Sequence, residues 1–502
     1  MSQLSRFNVG VLGSIAILVS SFVCLYVFLV LIKLFHKLWL NPIHVQRVLA
    51  SQGIRGPAYK FIHGNAKEML RMRTESLSRP MDLSHQIFAR LQPHLHSWLK
   101  IYGKNFLIWN GPKAQLVITE SKFAKEILKN KEKAYPQKKT EGSLKKLLGN
   151  SFVTSEGEKW SKLRKLANHA LHAESLKNMV PAMISSIEMM LERWKQHECE
   201  EIEVFEEFRI LTSQVISMTA FGNSYLEGKD IFEMLIKLGI ITSRNVFKIK
   251  LPIFSQIWKS TDDIESEKLE HGIRDSILEI IKKRENAMTE VDNYGRITVE
   301  NVVDECKAFY IAGHETTTTL LAWSVLLLAI HTDWQEEARK EVLELFGQQD
   351  PHAEGIPRMK KMNMIINESL RLYPPIINIT RKVQRKVKLG QFILPANINV
   401  TILTLALHLD PQIWGDDVYL FKPERFSGVA KATNNNPAVF LPFGFGQRSC
   451  VGTSFAINET KIALSMILQR YAFTLSPTYS HSPVQVLTVR PQHGIQVKLH
   501  AL

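Results

Sequence analysis

The sequence has few cysteines for its length, and none is spaced for a metal site or a disulfide framework. The four cysteines among 502 residues are Cys24, Cys199, Cys306 and Cys450, which lie far apart and form no C-x-x-C pair. This spacing indicates neither a zinc site nor a disulfide-stapled fold, and we expect a reducing compartment. The chain also has no internal repeat, and its one low-complexity patch is the asparagine run at 434–436.

Acidic residues are too few to balance the basic ones. The chain has 63 lysines and arginines against 48 aspartates and glutamates, which gives a formal net charge of +15. The basic residues are spread along the whole chain and accompany no nucleic-acid-binding module, so we expect no nucleic-acid partner. The charge suits an anionic bilayer or an acidic electron-transfer protein.

One long segment without charged residues runs from Val9 to Ile32. About 24 residues of helix span the hydrocarbon core of a bilayer. The segment is too long for the apolar region of a cleaved signal peptide, and no small-residue cleavage site follows it. Lys33, Lys37 and Arg47 come after it, so the charge bias places the rest of the chain in the cytosol. We predict an uncleaved signal anchor over residues 1–40.

A linker follows the anchor. In Trp39-Leu-Asn-Pro-Ile and in the segment from Gln52 to Pro57, proline and glycine are expected to break the helix and to orient the globular part against the membrane. The predicted division is therefore an anchor at 1–40, a proline-rich hinge at 41–57 and one globular domain at 58–502.

The globular part has mainly helical periodicity. A 3.6-residue period predicts helices in such stretches as Leu176–Trp194 and Ile264–Arg284. Short alternating runs predict strands around Phe106–Val117, Val383–Ile393 and Gly494–Leu499.

The stretch Phe443-Gly-Phe-Gly-Gln-Arg-Ser-Cys450-Val-Gly452 surrounds one cysteine with residues suited to an iron-ligating thiolate. Gly446 and Gly452, with Ser449, let the backbone fold tightly enough to aim amide N–H groups at the sulfur. The segment from Val451 to Tyr471 is predicted to be helical, which puts Cys450 at a positive helix N-terminus. Arg448 can reach a haem propionate, and Phe443 can pack beside the macrocycle. The alternative is a buried structural thiol.

This pattern, Phe-x-x-Gly-x-Arg-x-Cys-x-Gly, resembles the haem-ligand signature of the cytochrome P450 family, and the resemblance extends from end to end of the chain. It implies a mainly α, haem-thiolate fold with small β-sheets from about Pro57 to Leu502, behind an N-terminal transmembrane helix. Haem b would be held by the Cys450 thiolate as axial ligand. Electrons would come from NADPH through a separate NADPH-cytochrome P450 reductase, since the chain has no flavin or dinucleotide module. The expected location is the endoplasmic reticulum membrane, with a single span.

A long helix is predicted from the N-cap Thr298 to about Ile330. Inside it lies Ala312-Gly-His-Glu-Thr-Thr317, where Glu315 and Thr316 place an acid and a hydroxyl at a point where helix hydrogen bonding can be locally disturbed. Oxygen activation at haem iron consumes protons, which an acid and alcohol pair can relay. Without further information, an acid and a threonine in a helix are more often a surface acid and a packing threonine than a proton relay.

The resemblance decides between these two readings. Ala312, Gly313, Glu315 and Thr316 match the family's oxygen-binding motif residue by residue, with Gly313 expected to leave space beside the backbone. His314 occupies the variable position of that motif, so we do not assign it as an axial ligand.

Glu368 and Arg371 are three residues apart and can form an ion pair on one helix face. With Arg425 they resemble the family's buried Glu-Arg-Arg triad, which would lock the loop that leads to Cys450. Losing one member would leave a buried charge unpaired.

Haem propionates need cationic partners. Trp160 and Arg164 stand at i and i+4, as in the family's propionate-binding helix, and Arg381 and Arg448 complete the expected set. The substrate space is expected to be lined by Ala308, Ile311, Ala312, Ile376, Ile377 and Leu487.

The implied function is insertion of one atom of O₂ into a C–H bond of a small apolar molecule. Two rivals are a haem-thiolate isomerase or dehydratase that needs no reductase, and a non-enzymatic haem-binding or gas-sensing protein. The finer resemblance is to plant microsomal members of the seventy-two clan, which includes hydroxylases of terpenoids, hormones and fatty acids. The natural substrate and its regiochemistry stay open, and fatty-acid hydroxylation is the runner-up.

The segment Leu251-Pro-Ile-Phe254 combines apolar residues with nearby Lys248 and Lys250. One hypothesis is that it dips into the headgroup layer and opens a route for apolar substrates. Ordinary packing at a helix end is the alternative.

Overall fold

The computed structural model describes residues 2–196, 200–220, 225–248, 259–285 and 298–502. The predicted membrane-dipping segment at 251–254 lies outside these residues. Within them the chain is mainly helical with small sheets, as the sequence predicts.

The N-terminal helix does not end where the sequence predicts a linker. Helix α1 (Ser2–Phe35) continues through a π-helical turn at His36–Leu40 into α2 (Asn41–Ala50). The prediction of a helix break at Trp39-Leu-Asn-Pro-Ile is wrong, because the chain stays helical through Pro42. Proline has no amide hydrogen for the Leu38 oxygen four residues earlier, and this oxygen accepts from the Tyr59 hydroxyl instead. The division into anchor, hinge and globular domain stays a prediction.

Helix α2 is packed onto the globular part of the chain. Val45 and Leu49 are buried in one core cluster with Leu107 and Trp109 of the first sheet. The Tyr59 hydroxyl donates a hydrogen bond to the backbone oxygen of Leu38 in the π turn. These contacts fix the N-terminal helix to the rest of the protein.

Among the described residues, one helix is long and apolar enough to cross a membrane. It covers Ile17–Ala50, and its most apolar window has a mean hydropathy of 2.6 and no buried residue. Its length and composition are those of a membrane anchor.

Ten helices of the described residues lie between α2 and the long helix that begins at Val299. They are α3 (Ala66–Ser78), α4 (Ile87–Leu91), α5 (Pro93–Tyr102), α6 (Ser121–Lys129), α7 (Gly142–Leu148), α8 (Gly157–Ala170), α9 (Ala173–Lys195), α10 (Val204–Ala220), α11 (Tyr225–Arg244) and α12 (Thr261–Glu285). Both helices predicted from periodicity are confirmed, since Leu176–Trp194 lies in α9 and Ile264–Arg284 lies in α12.

The central helix α13 runs from Val299 to Ile330, and the Thr298 side chain caps it by accepting a hydrogen bond from the Asn301 amide. Every residue from 317 to 329 is buried, so this half of the helix forms the middle of the core. The later helices are α14 (Thr332–Phe346), α15 (Lys360–Leu372), α16 (Thr404–His408), α17 (Pro411–Trp414), α18 (Val429–Ala432) and α19 (Thr453–Arg470).

The described residues form four small sheets around the helices. The largest has the order β1 (Asn105–Asn110), β2 (Lys113–Ile118), β7 (Asn399–Leu403), β4 (Asn378–Lys382), with β2 and β7 parallel and the other pairs antiparallel. The others join β3 (Glu201–Glu203), β11 (Gln496–Ala501) and β8 (Tyr471–Leu475); β5 (Val387–Leu389) and β6 (Phe392–Leu394); and β9 (Pro483–Gln485) and β10 (Val489–Pro491). The predicted strand regions all contain strands.

Candidate active site

Cys450 lies in a tight loop between a 3₁₀ turn at Gly446–Arg448 and the start of α19 at Thr453. The Cys450 amide donates a hydrogen bond to the Phe443 oxygen, 2.8 Å away, which closes the loop. Gly446 has φ 78°, and a Cβ built there would lie 2.4 Å from the Leu128 oxygen, so only glycine fits. Phe443 is partly buried against the main core, and the Cys450 side chain is exposed.

Opposing effects act on the Cys450 thiol. Although the side chain is exposed, the protein around it partly desolvates the thiol, and this largest effect raises its pKa above the ordinary 9.0. The Gly452 amide, the Thr453 hydroxyl and the charge of Arg164 each lower the pKa. Of these, the hydrogen bond from the Gly452 amide to the sulfur is the kind of contact that the sequence predicts. A metal ion on the sulfur would overcome the desolvation, since a coordinating thiol is deprotonated outright.

Arg448, two residues before the sulfur, is packed against the helix α8 region. Its guanidinium carbon lies 4.3 Å from the centre of the Trp160 ring. Its Nη2 donates to the Ser155 oxygen at 2.7 Å and pairs with the Glu156 carboxylate at 2.8 Å. Its Nη1 is buried and has no hydrogen-bond partner within the described parts of the chain. A buried donor without an acceptor is costly, and this one points to a missing anionic group.

Arg381, on β4, lies close to Arg448. Burial, and secondarily the positive charge of Arg448, lower the pKa of Arg381 to about 10. The one carboxylate that opposes this effect is Glu156, whose side chain is 45 % exposed. Two guanidinium groups therefore share one partly exposed carboxylate, which leaves an excess of positive charge at this place.

Arg164, on α8, contacts the loop that carries Arg448 and Cys450. Its Nη1 donates to the Ser449 oxygen at 2.6 Å, and its Nε donates to Asn168 at 3.0 Å. Its charge lowers the pKa of both Arg448 and Cys450. The four residues predicted to bind the propionates thus lie together: Trp160, Arg164, Arg381 and Arg448. Of these, Arg164 also hydrogen-bonds to the backbone next to Cys450.

Glu368 and Arg371 form a completely buried ion pair on α15. The Arg371 Nε and Nη2 atoms each lie 2.7 Å from a Glu368 carboxylate oxygen, and neither side chain is exposed. The third predicted member, Arg425, has its Nε 3.6 Å from Glu368. The sequence reasoning missed a fourth member, Asp417, which lies 2.6 Å from the Arg425 Nη2.

This network leads towards the cysteine loop. The Arg371 Nη1 donates to the backbone oxygen of His408 at 3.1 Å, and the His408 Nε2 accepts a hydrogen bond from the Leu441 amide at 2.8 Å. Leu441 is two residues before Phe443. His408 thus connects the buried triad to the segment that carries Cys450, a link that no sequence motif indicates.

The predicted oxygen-binding motif lies in a regular stretch of α13. Ala312 is exposed, and the Thr316 hydroxyl donates to the Ala312 oxygen at 2.5 Å. Glu315 is buried, and its Oε1 accepts a hydrogen bond from the Thr488 hydroxyl at 2.8 Å. The helix is unbroken here, which differs from the disturbance that the sequence predicts, because the threonine hydroxyl bonds back to the preceding turn without displacing its backbone.

Gly313 has a different role from the one expected. A Cβ built on Gly313 would lie 2.3 Å from the Ile216 Cδ1 on α10. The space beside this glycine is therefore filled by a neighbouring helix, and the absence of a side chain lets α10 and α13 pack closely.

A cavity lies between α11, α13 and the β9–β10 hairpin. Of the predicted lining residues, Ile311 and Leu487 are in its wall. Ala308 and Ile377 are buried away from it, and Ile376 is exposed outside it. The prediction missed most of the wall, which consists of Phe232, Leu235, Ile236, Gly239, Tyr310, His314, Glu315, Val486 and Arg490.

The geometry can be compared with known families. The family model described as Cytochrome P450 matches residues 76–499. The chain belongs to the cytochrome P450 family. A cytochrome P450 of Panax ginseng, CYP749A22, is 60% identical to it over 99% of both chains.

Two further plant cytochromes P450 are similar along most of their length. The 11-oxo-beta-amyrin 30-oxidase of Glycyrrhiza uralensis is 40% identical over 93% of this chain and 94% of its own. Cytochrome P450 734A1 of Arabidopsis thaliana is 36% identical over 94% of this chain and 95% of its own. The predicted relationship to plant members of the seventy-two clan is confirmed.

The residues of this cytochrome P450 fit haem. The exposed Cys450 sulfur offers a ligand at the end of a preformed loop, and the unpartnered Arg448 Nη1 with the neighbouring Arg381 offers donors for propionates. Membership of the family makes the protein a monooxygenase with haem, a cysteine thiolate ligand and NADPH-derived electrons delivered by a reductase. The predictions of fold, cofactor and reaction class are confirmed.

Proposed function

We propose that this cytochrome P450 oxygenates a C–H bond of a polycyclic terpenoid, with Cys450 as the iron ligand. The observation that carries the proposal is the cavity beside Glu315, whose wall is mainly aromatic and aliphatic. Such a wall favours an apolar hydrocarbon ligand. The relative named 11-oxo-beta-amyrin 30-oxidase, which aligns with 93% of this chain, supports the same substrate class.

Cys450, Arg448, Arg381, Arg164 and Trp160 would hold the haem. Haem bound through a thiolate supplies the reduction of O₂, so that one oxygen atom enters the substrate and the other leaves as water, with two electrons and two protons consumed. The Gly452 amide and the Arg164 charge stabilise the negative charge of the sulfur. Arg448 and Arg381 would pair with the propionates, because the Arg448 Nη1 has no other partner among the described residues and the two guanidinium groups lie close together.

Glu315 and Thr316 supply the protons. The Thr316 hydroxyl holds a proton at the exposed side of α13, where it bonds to the Ala312 oxygen. Glu315, the residue before Thr316, is buried, and its carboxylate accepts a hydrogen bond from the Thr488 hydroxyl. The Thr488 hydroxyl in turn accepts from the Thr319 hydroxyl at 3.0 Å. The chain Thr319, Thr488 and Glu315 holds the acid ready beside the cavity. Ala312 keeps the exposed side free of bulk.

The protein is anchored in a membrane and receives electrons from a second protein. The apolar helix α1 anchors it in the endoplasmic reticulum membrane, with the haem domain in the cytosol, and NADPH-cytochrome P450 reductase supplies the electrons. The apolar segment without charges and the basic residues that follow it support this orientation.

The test is turnover of 11-oxo-β-amyrin and of a plant triterpenoid extract by microsomes that contain the protein and a plant reductase. Products should appear only with NADPH and should carry label from ¹⁸O₂, as detected by mass spectrometry. The Cys450→Ala variant should give none, whereas Cys24→Ala, which changes an exposed anchor cysteine, should match the wild type.

A normal carbon monoxide difference spectrum without any terpenoid product would contradict the substrate class and leave the haem site in place. Labelled fatty acids from a lipid extract would then favour fatty-acid hydroxylation. Full activity in Cys450→Ala would contradict the ligand assignment.

A further inference from the structure

His314 is a buried polar residue in the wall of the substrate cavity. It lies on α13 next to Glu315, is only 3 % exposed and belongs to the cavity lining. Its ring packs edge to face on Phe232 of α11, with the ring centres 5.2 Å apart. Phe232 is itself part of the wall. The mechanism uses Glu315 and Thr316 but has no role for His314.

A hydrogen-bond network fixes the tautomer of His314. Its Nδ1 lies 2.8 Å from the Thr212 hydroxyl oxygen on α10. Thr212 donates to the Phe208 oxygen at 2.9 Å, the usual back-bond of a helical threonine. A hydroxyl has only one hydrogen, so Thr212 accepts at its other contacts. Nδ1 therefore carries the hydrogen of the neutral ring.

Thr318 is consistent with this assignment. Its hydroxyl oxygen lies 2.6 Å from that of Thr212 and 3.0 Å from the His314 backbone oxygen. Thr318 has one hydrogen for these two contacts. If it donates to Thr212, Thr212 donates to Phe208; if it bonds back to the His314 oxygen, Thr212 donates to Thr318. In both arrangements the Thr212 hydrogen is used, and Thr212 accepts from the His314 ring. A hydroxyl oxygen has two acceptor sites, so every hydrogen in the network is used once.

The other ring nitrogen is then an acceptor without a donor. Nε2 of His314 is buried and has no hydrogen-bond partner in the part of the chain that the structure describes. Burial lowers the pKa of His314 to about 3, so the ring stays neutral at physiological pH. An unsatisfied buried acceptor costs about 1–3 kcal/mol, which a donor in the cavity would recover.

A lone pair in an apolar wall selects one kind of ligand group. A carbonyl or ether oxygen brings another lone pair and repels Nε2, whereas a hydroxyl brings a hydrogen. The other polar side chains of the same wall are Tyr310, Glu315 and Arg490, and none of these three lies on α11 with Phe232.

We propose that Nε2 of His314 accepts a hydrogen bond from a hydroxyl group of the substrate and thereby selects terpenoid alcohols over the corresponding ketones. The inference rests on the proposed function, and adds to it that the substrate enters as an alcohol whose hydroxyl lies against α13 and α11. Carbon–hydrogen oxidation then occurs at another position of the same skeleton.

The experiment compares two ligands that differ by one hydroxyl. Full-length, haem-loaded protein is titrated with 11-oxo-β-amyrin and with the ketone made by oxidising its hydroxyl, and the dissociation constants are read from the shift of the haem spectrum. The wild type should bind the alcohol about five- to tenfold more tightly, the size of one hydrogen bond.

Three variants locate the effect. His314→Phe keeps the ring shape without the acceptor and should bind both ligands equally. His314→Gln offers an amide oxygen near the position of Nε2 and should keep part of the preference. His352→Phe changes a surface histidine whose side chain is 53 % exposed, and should behave as the wild type. A carbon monoxide difference spectrum checks that each variant is folded.

The outcomes separate this inference from the proposed function. Equal binding of alcohol and ketone by the wild type, or an undiminished preference in His314→Phe, would overturn the role of His314 and leave terpenoid oxygenation standing. If neither ligand shifts the haem spectrum of a correctly folded wild type, the terpenoid substrate class fails, and the role of His314 fails with it.

Discussion

The Thr488 hydroxyl donates a 2.8 Å hydrogen bond to the Glu315 carboxylate across 173 residues of chain. Thr488 lies just before β10, and Glu315 lies in the middle of α13. The bond joins the acid of the oxygen-binding motif to the hairpin that also contributes Leu487 and Arg490 to the cavity wall. In the proposed mechanism, proton supply and substrate binding therefore depend on one shared contact.

Replacing Thr488 should uncouple NADPH use from product formation. Thr488→Val removes the donor from a buried carboxylate, a loss of about 1.5–3 kcal/mol, and should lower product formed per NADPH about tenfold while peroxide release rises. Thr488→Ser keeps the hydroxyl and should stay within about twofold of the wild type. Product and peroxide measured together decide the matter, and equal coupling in Thr488→Val would remove Thr488 from the relay.

The buried triad should be essential for haem incorporation. Glu368→Ala leaves Arg371 charged and unpaired in the core, which costs about 3–5 kcal/mol. We expect a haem-free, poorly folded protein without a carbon monoxide difference spectrum. Glu337→Ala removes an exposed partner of Lys361 and should cost less than about 1 kcal/mol. Normal haem content in Glu368→Ala would refute the structural role.

Arg448 should govern how tightly haem is held. Arg448→Gln removes a guanidinium whose Nη1 is otherwise unsatisfied, and a charge-assisted hydrogen bond is worth about 1.5–3 kcal/mol. Transfer of haem to apomyoglobin should become about ten- to a hundredfold faster. Arg79→Gln, at an exposed surface pair, is the control. An unchanged rate of haem transfer from Arg448→Gln would indicate that Arg448 stabilises the loop around Cys450 and does not bind haem.

His408 should make the protein sensitive to mild acid. Burial, and secondarily the charge of Arg371, lower its pKa from 6.5 to about 3. The ring takes up a proton readily only after unfolding, so its contribution to stability is fully present above about pH 6.5 and is lost as the pH falls towards 3. The slope is at most about 1.4 kcal/mol per pH unit.

The matching variant is His408→Gln, which keeps an acceptor for the Leu441 amide but does not titrate. Between pH 7.5 and 5.5 the free energy of unfolding should fall by about 1.4 kcal/mol more in the wild type than in this variant. Denaturant titrations followed by circular dichroism measure both. Parallel pH profiles would show that His408 is not the group responsible.

Local patterns explain what the sequence predicts well. The Thr298 cap, the long helix after it and the hairpin near Phe106 depend on residues close in the chain, and all are found in the structure. The glycines around Cys450 are also a local signal, because Gly446 needs a positive φ and a side-chain-free approach to Leu128.

Contacts between distant segments explain what the sequence does not predict. The helix that supplies Phe232 and Leu235 to the cavity carries no motif, and Thr488 resembles any strand threonine until the fold places it beside Glu315. Asp417 joins the triad through Arg425 in the same way. Gly313 was misjudged because the sequence cannot say that Ile216 fills the space beside it.

The unbroken rod formed by α1, the π turn and α2 has a consequence for how the protein is aimed. Val45 and Leu49 are buried against the globular part, so α2 and the globular part are fixed to each other. Each residue of the helix therefore sets the rotation of the globular part about the helix axis, by about 100° per residue. Inserting one residue at 36–40 would rotate the globular part about the helix axis and present a different side of it to the bilayer. Inserting about one full helical turn would restore the original orientation.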